Sequence, residues 1–203
     1  MAIARLTVWS DYLCPWCYNG SVRLKTLRER FSGRVELEFR SFLLRPSVGE
    51  TRDLEKFRRY TRSWLRVAAD EPAGEFRVWE GDAGPPSHSI PPHLVAKAAA
   101  TLGPDAFERM HDRLLRAYFA ENRDVSDDAT LKALWQEVGL EDAAFERRED
   151  PALLERVLSE HGSALEAGVN GVPAVMIDGQ DVPLTGALPI EMFERWIERN
   201  LEG

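Results

Sequence analysis

The chain has 203 residues, enough for one domain or one domain with an insertion, and a chain of this size buries about 70% of its unfolded surface. Its 44% hydrophobic content excludes disorder as the ordinary state, and a formal charge of −8 speaks against nucleic acid or an anionic membrane as partner, since both select basic surfaces. No apolar run approaches the length of a membrane span, and Met1 to Leu6 lacks the apolar core of a signal peptide, so the expected address is cytoplasmic.

In chain order, Ile3 to Trp9 reads as a buried strand that is polar only at Arg5 and Thr7. It runs into Ser10-Asp11-Tyr12-Leu13-Cys14-Pro15-Trp16-Cys17, after which Cys17, Gly20, Leu24, Leu27 and Phe31 fall on one stripe of a helix that stops near Gly33. Val35 to Leu43 alternates as a half-buried strand, and strand, helix, strand with one crossover makes a parallel βαβ unit.

Residues 51–168 are helical in pattern. Asp53 caps a predicted helix that reaches Ala69, and a Pro/Gly/Ser-rich loop with Phe76 and Trp79 follows from Asp70 to Pro92, long enough to act as a lid. Further helices are expected over Pro92 to Thr101 and over Pro104 to Glu121, the latter with Phe107, Met110, Leu114, Leu115, Tyr118 and Phe119 on one face. Ser126 is expected to cap the next, which buries Leu131, Leu134, Trp135 and Val138 and ends at Gly139. Asp150-Pro151 opens another, with Leu154, Val157, Leu158 and Leu165 inward and Gly168 at its end.

The last section returns to β. Pro173 to Ile177 is a short central strand, Asp178-Gly179 a hairpin turn, and Asp181 to Thr185 an edge strand because of Pro183. A final helix buries Ile190, Phe193, Trp196 and Ile197. The expected division is an N-terminal half over 1–50, a helical insertion subdomain over 51–168 and a C-terminal half over 169–203.

Cys14 and Cys17 are the only cysteines, and strand, C-x-x-C, helix is the layout of a thiol–disulfide redox site. Pro15 suits the first helical position, which leaves Cys14 at the N-cap beside unsatisfied backbone N–H groups and the positive end of the helix dipole. Both favour a thiolate. Cys17 lies one turn on, on the buried stripe, so an accessible Cys14 is expected to attack and a shielded Cys17 to resolve. A cross-link closing so short a loop adds only about 2 kcal/mol of stability, which argues against a structural staple. Zinc on Cys14, Cys17, His88 and His93 is disfavoured because roughly seventy residues separate the cysteines from the histidines, far more than in a zinc finger, and no metal is expected.

A second constellation, Val169-Asn170-Gly171-Val172-Pro173, stands before the predicted central strand, where Pro173 must open the strand or shape a special turn. Taken with Ser10-Asp11 ahead of Cys14-Pro15-Trp16-Cys17, Ala117-Tyr118-Phe119 before Asp124-Val125-Ser126, and the Thr185-Gly186-Ala187 to Trp196 segment, the chain resembles the thioredoxin superfamily. More narrowly, it resembles the DsbA-family oxidoreductases in their FrnE-like cytoplasmic branch. The resemblance implies an α/β, thioredoxin-like fold (βαβ, then ββα) interrupted by a helical insertion. It also implies a cis Val172–Pro173 bond beside the disulfide, with backbone that pairs with an extended thiol substrate. Pro15 and Trp16 set the environment of Cys14. Trp16 stands where DsbA itself has a histidine, a departure that puts a strongly oxidising potential in doubt.

Asp11, three residues before Cys14, either modulates that sulfur or, as the blander reading has it, caps the helix start. His111 and His161 read as core histidines, and His88 and His93 as flanks of the Pro-rich loop. The leading expectation is an enzyme, a dithiol–disulfide oxidoreductase acting on a thiol or disulfide substrate, protein or small molecule. It needs no bound cofactor, glutathione being an exchange partner. The rivals are a glutathione-dependent isomerase or transferase of the same fold, whose relatives carry serine at the position of Cys14, and a non-enzymatic chaperone-like module.

Overall fold

The computed structural model describes residues 3–49 and 52–202, the side chain of residue 202 excepted. Strand β1 (Ala4–Ser10) is buried at every position but Arg5, as a central strand with both faces covered must be. Helix α1 (Pro15–Arg30) starts with Pro15 in its first turn and ends with Arg28 and Arg30, whose charges suit the dipole at that end. Strand β2 (Val35–Ser41) returns parallel to β1, with Leu6 opposite Leu37 and Ser10 opposite Ser41.

Then come α2 (Leu54–Thr61), α3 (Trp64–Ala68), α4 (Ile90–Ala100), α5 (Pro104–Phe119), α6 (Asp128–Glu137), α7 (Asp142–Phe145) and, after a 3-10 turn, α8 (Pro151–Glu166). Strand β3 (Ala174–Ile177) pairs antiparallel with β1, and the short β4 (Leu184–Thr185) pairs antiparallel with β3. Gly179, at φ +85°, makes the turn between them, a conformation that costs glycine little. Helix α9 (Ile190–Glu202) closes the chain on the sheet. The sheet order is β2-β1-β3-β4, and the fold is thioredoxin-like with a helical insertion.

Among the described residues two large apolar cores result, beside a small cluster of Trp9, Phe42, Ala164, Val169 and Ala174. One lies under the sheet and joins Leu6, Val8, Leu24, Leu27, Val175 and Phe193. The other fills the helical insertion around Trp64, Trp79, Met110, Phe119 and Trp135, and it also takes in Tyr12, Leu13 and Tyr18. The side chains that flank the C-x-x-C segment, Tyr12, Leu13 and Tyr18, thus pack into the core of the insertion, which holds the segment from both sides.

Several elements differ from expectation for identifiable reasons. The helix expected from Asp53 to Ala69 is two helices with a break at Arg62–Ser63, although Asp53 does cap the first by accepting the Lys56 N–H at 2.7 Å. The cap of α6 is Asp127, which accepts from Thr130; Ser126 instead donates to Asp124 and accepts from the Ser87 N–H. On α8, Leu154, Leu158 and Leu165 face solvent, while Val157, Glu160 and Ala164 are buried. Phe107 is only half-buried.

The 70–89 segment is not a lid. Phe76 packs on Tyr18 and Phe119, Trp79 is buried against Phe57 and Tyr118, and the Arg77 N–H donates to Phe119 O at 2.8 Å.

Candidate active site

The backbone between β1 and α1 is wound tightly enough to place both sulfurs. The Cys14 N–H donates to Asp11 O and the Cys17 N–H to Cys14 O, each at 3.1 Å, and Cys14 takes an extended conformation at the N-cap (φ −100°, ψ 115°). Its side chain does not cap the helix. The Cys14 S–H instead points to Val172 O at 3.3 Å, across to the loop before β3. The Val172–Pro173 bond is cis, and the Pro173 ring lies so close to α1 that a Cβ at Gly20 would come within 2.9 Å of it. Both cysteines are free thiols.

The expected asymmetry of access is smaller than the sequence suggests. Cys14 is only 6% exposed and Cys17 2%, because the Val172 loop lies over the first sulfur; Trp16 is the exposed member of the motif at 41%. What separates the sulfurs is their surroundings. Cys14 lines an open cavity of about 330 Å³ together with Pro15, Trp16, Leu44, Tyr60, Ser63 and Arg66. Cys17 is sealed, accepts the Asp11 backbone N–H at 3.4 Å, and has a thiol pushed well above the usual range by burial first, then by Cys14 and the charge of Asp11.

Asp11 does not cap the helix. Its carboxylate is buried and takes the Leu13 N–H on Oδ1 at 2.6 Å and the Leu44 N–H on Oδ2 at 2.7 Å, pinning the turn before Cys14 to the strand end after β2. Burial raises its pKa to about 6, against the opposing pull of Ser89, Leu44 and Leu13. A buried acid with a pKa of about 6 thus stands in the turn before Cys14, on the residue whose backbone N–H reaches Cys17 Sγ.

The family model for the DSBA-like thioredoxin domain matches residues 5–198. The chain belongs to that family. Among its relatives, the uncharacterized protein YwbO of Bacillus subtilis (strain 168) is 26% identical over 95% of this chain and 94% of its own. A probable DsbA oxidoreductase from Streptomyces coelicolor superposes with a TM-score of 0.77 at 26% identity, over 97% of this chain and 89% of that one. The cytosolic disulfide reductase DsbM from Pseudomonas aeruginosa, solved with GSH, shares the fold at a TM-score of 0.73 and 21% identity, over 97% of this chain and 96% of that one.

The remaining candidates of this DSBA-like domain fall outside the Cys14 cavity. His111 is buried and neutral, its ring nitrogens each 3.0 Å from the Tyr12 and Ser21 hydroxyls, and burial holds its pKa well below the usual value. His93 is buried edge-on against Tyr12, and half-buried His88 pairs with Ser87. His161 accepts the Leu43 N–H at 3.2 Å. Among the described residues no group of three or more His, Cys, Asp or Glu side chains has metal-holding geometry.

Sequence reading missed Leu44, Tyr60, Ser63 and Arg66 as cavity walls. They come from elements far along the chain, and the one local sign was the concentration of basic residues in α2 and α3.

Proposed function

We propose that this chain is a dithiol–disulfide oxidoreductase in which Cys14 attacks and Cys17 resolves. The observation that carries the reading is one helical turn holding two free thiols in unlike surroundings, one in an open cavity against Val172, the other sealed under Asp11. The Cys14 thiolate attacks one sulfur of a substrate disulfide; a Cys14–substrate bond forms, the substrate bond breaks, and the leaving thiolate takes a proton. Cys17, giving its proton to Asp11, then attacks Cys14 Sγ and releases the second substrate thiol. The substrate gains two electrons and the cysteine pair loses two; the reverse sequence oxidises a dithiol. Asp11 suits the proton step because an acid with a pKa of about 6 both accepts and returns a proton near pH 7. Val172, whose carbonyl faces Cys14, is the backbone on which an extended substrate pairs, and Pro173 shapes that edge.

The FrnE-like cytoplasmic branch belongs to the same proposal. It is supported by the likeness to a reductase named as cytosolic and by the transient character of disulfides in that compartment. Glutathione as an exchange partner finds support in the same neighbour, which was solved with GSH.

Cys17→Ser tests the reading. It is expected to accumulate a mixed disulfide on Cys14, identifiable by mass spectrometry, while turnover stops. Activity that survives Cys17→Ser would favour the glutathione-dependent isomerase or transferase, and holdase activity indifferent to Cys14→Ala the chaperone-like module.

A further inference from the structure

The walls of the Cys14 cavity carry one charge, and its origin is unusual for this chain. From Arg52 to Ala69 there are six basic and two acidic side chains in a protein whose formal charge is −8. Arg58 is paired with Glu55 and Asp82, and the Arg52 guanidinium lies 4.7 Å over the Phe57 ring. Arg59, Arg62 and Arg66 are exposed and enter no ion pair among the described residues. Arg66 alone of these lines the cavity, beside Tyr60 and Ser63 with their hydroxyls; among the described residues no acidic side chain lines it. The other walls, Leu13, Trp16, Leu44 and Val67, are apolar.

We propose that this cavity receives a small thiol or disulfide carrying a carboxylate, with Arg66 as the residue that selects it. The inference rests on the exchange reading above and names its substrate class. A guanidinium presents a planar fork of donors matched to a carboxylate, and apolar walls strengthen the attraction by keeping water away. Arg59 and Arg62, exposed on the same basic stretch, add to the positive field that draws an anion to this part of the surface. The volume, about 330 Å³, lies at the lower end of the range for small-molecule pockets and suits a short acidic thiol better than a folded protein loop. In the productive complex the carboxylate lies on Arg66 while the substrate sulfur meets Cys14. The Cys14–substrate bond forms as the substrate disulfide breaks, and closure of Cys14 onto Cys17 completes a two-electron reduction of the substrate.

The test is single-turnover oxidation of the fully reduced protein by three small disulfides of graded charge: glutathione disulfide, neutral hydroxyethyl disulfide and cationic cystamine. Each rate is divided by that of free dithiothreitol with the same disulfide, which removes intrinsic reactivity. The acidic disulfide is expected to lead the neutral one, and the neutral one the cationic, by roughly fivefold to tenfold overall, with the spread shrinking at about 0.5 M salt. Arg66→Gln is expected to collapse the spread, and Arg66→Glu to reverse it. An order indifferent to the charge at position 66 overturns the proposal. Failure of the wild type to react with the neutral disulfide, or reaction of Cys14→Ser, would instead overturn exchange at Cys14 itself, so the two failures are distinguishable.

Discussion

Asp11 shows how one buried carboxylate makes the site sensitive to pH. An acid whose pKa is raised by burial from 3.8 to about 6 is better tolerated protonated. The stability tied to it is complete below pH 3.8 and is lost as pH rises through about 6, amounting to about 3 kcal/mol at 1.36 kcal/mol per pKa unit. His93 acts in the opposite sense. Burial first, and Lys97 second, depress it from 6.5 to about 3, so its contribution is present above pH 6.5 and is lost as pH falls towards 3. The two effects overlap, and the wild-type curve alone does not separate them. Asp11→Asn does. The wild-type advantage over Asp11→Asn in urea unfolding is expected to shrink by about 3 kcal/mol between about pH 4 and about pH 7. A difference that stays constant across that range would mean that position 11 carries no buried titrating acid. The same variant is expected to slow the resolving step, read as a mixed disulfide that persists near neutral pH.

At the scale of the element, α1 meets the rest of the molecule through its glycine and its arginine. A Cβ at Gly20 would sit 2.9 Å from Pro173 Cγ, closer than packed carbons come, and the ring has little room to retreat. Gly20→Ala is expected to lose about 1–3 kcal/mol to overpacking, more than the roughly 1 kcal/mol that alanine gains in helix propensity. Gly162, in α8, has nothing within 4 Å of its would-be Cβ, so Gly162→Ala is expected to gain about 0.5–1 kcal/mol. Chemical denaturation of the two variants checks both signs against each other.

Farther along α1, the fully buried guanidinium of Arg23 donates to the carbonyls of Asp70, Pro72, Ala187 and Leu188 and pairs with the Asp70 carboxylate at 2.9 Å. The start of the 70–89 segment and the lead-in to α9 are both tied to this one side chain. Arg23→Ala is expected to cost about 3–5 kcal/mol, since it orphans several buried carbonyls at once, and Arg23→Lys to recover little because an ammonium lacks the fork. Thermal melts of the two variants would show this.

Such details divide what the sequence discloses from what it conceals. Helix starts at Pro15, Asp53, Pro104 and Asp150 are legible because a cap is a contact between neighbours in sequence. The cysteine pair and the Gly-Val-Pro segment are legible for the same reason, each being a local pattern with few other uses. The inward face of α8 is not, because the leucines of that helix offer two rival stripes, and the choice falls to Glu160, whose partner is on another helix. Nor is the burial of Asp11, which is created by Leu13 and Leu44 closing over it, or the Arg66 wall, which needs α3 to fold back over Cys14.

Over the whole molecule, the helical insertion and the sheet are joined by more than apolar contact. Lys97 on α4 and Glu160 on α8 form a buried pair at 2.6 Å, and the same carboxylate accepts the Ser41 N–H at the end of β2 at 2.7 Å. Burial pushes Glu160 up, but Lys97 and the Ser41 N–H pull it below the usual carboxylate range, while burial lowers Lys97 against the pull of Glu160. Just beyond, Leu43 donates to His161 on α8 and Leu44 to Asp11, so the carboxylate sits at the root of the strand end that forms one wall of the Cys14 cavity. A charged pair in such a place is expensive to break and adds little net stability when whole. Glu160→Ala is therefore expected to cost about 3–5 kcal/mol by stranding the Lys97 ammonium, and Lys97→Met combined with Glu160→Leu to return most of that loss. A double variant as unstable as the single would show that packing, not charge, holds α8 to the sheet. Because the pair anchors the wall and not the sulfurs, the restored double variant is expected to keep its rate of exchange with a neutral disulfide. The Glu160→Ala protein is expected to open the Cys14 cavity, read as faster alkylation of Cys14, as the strand end loosens.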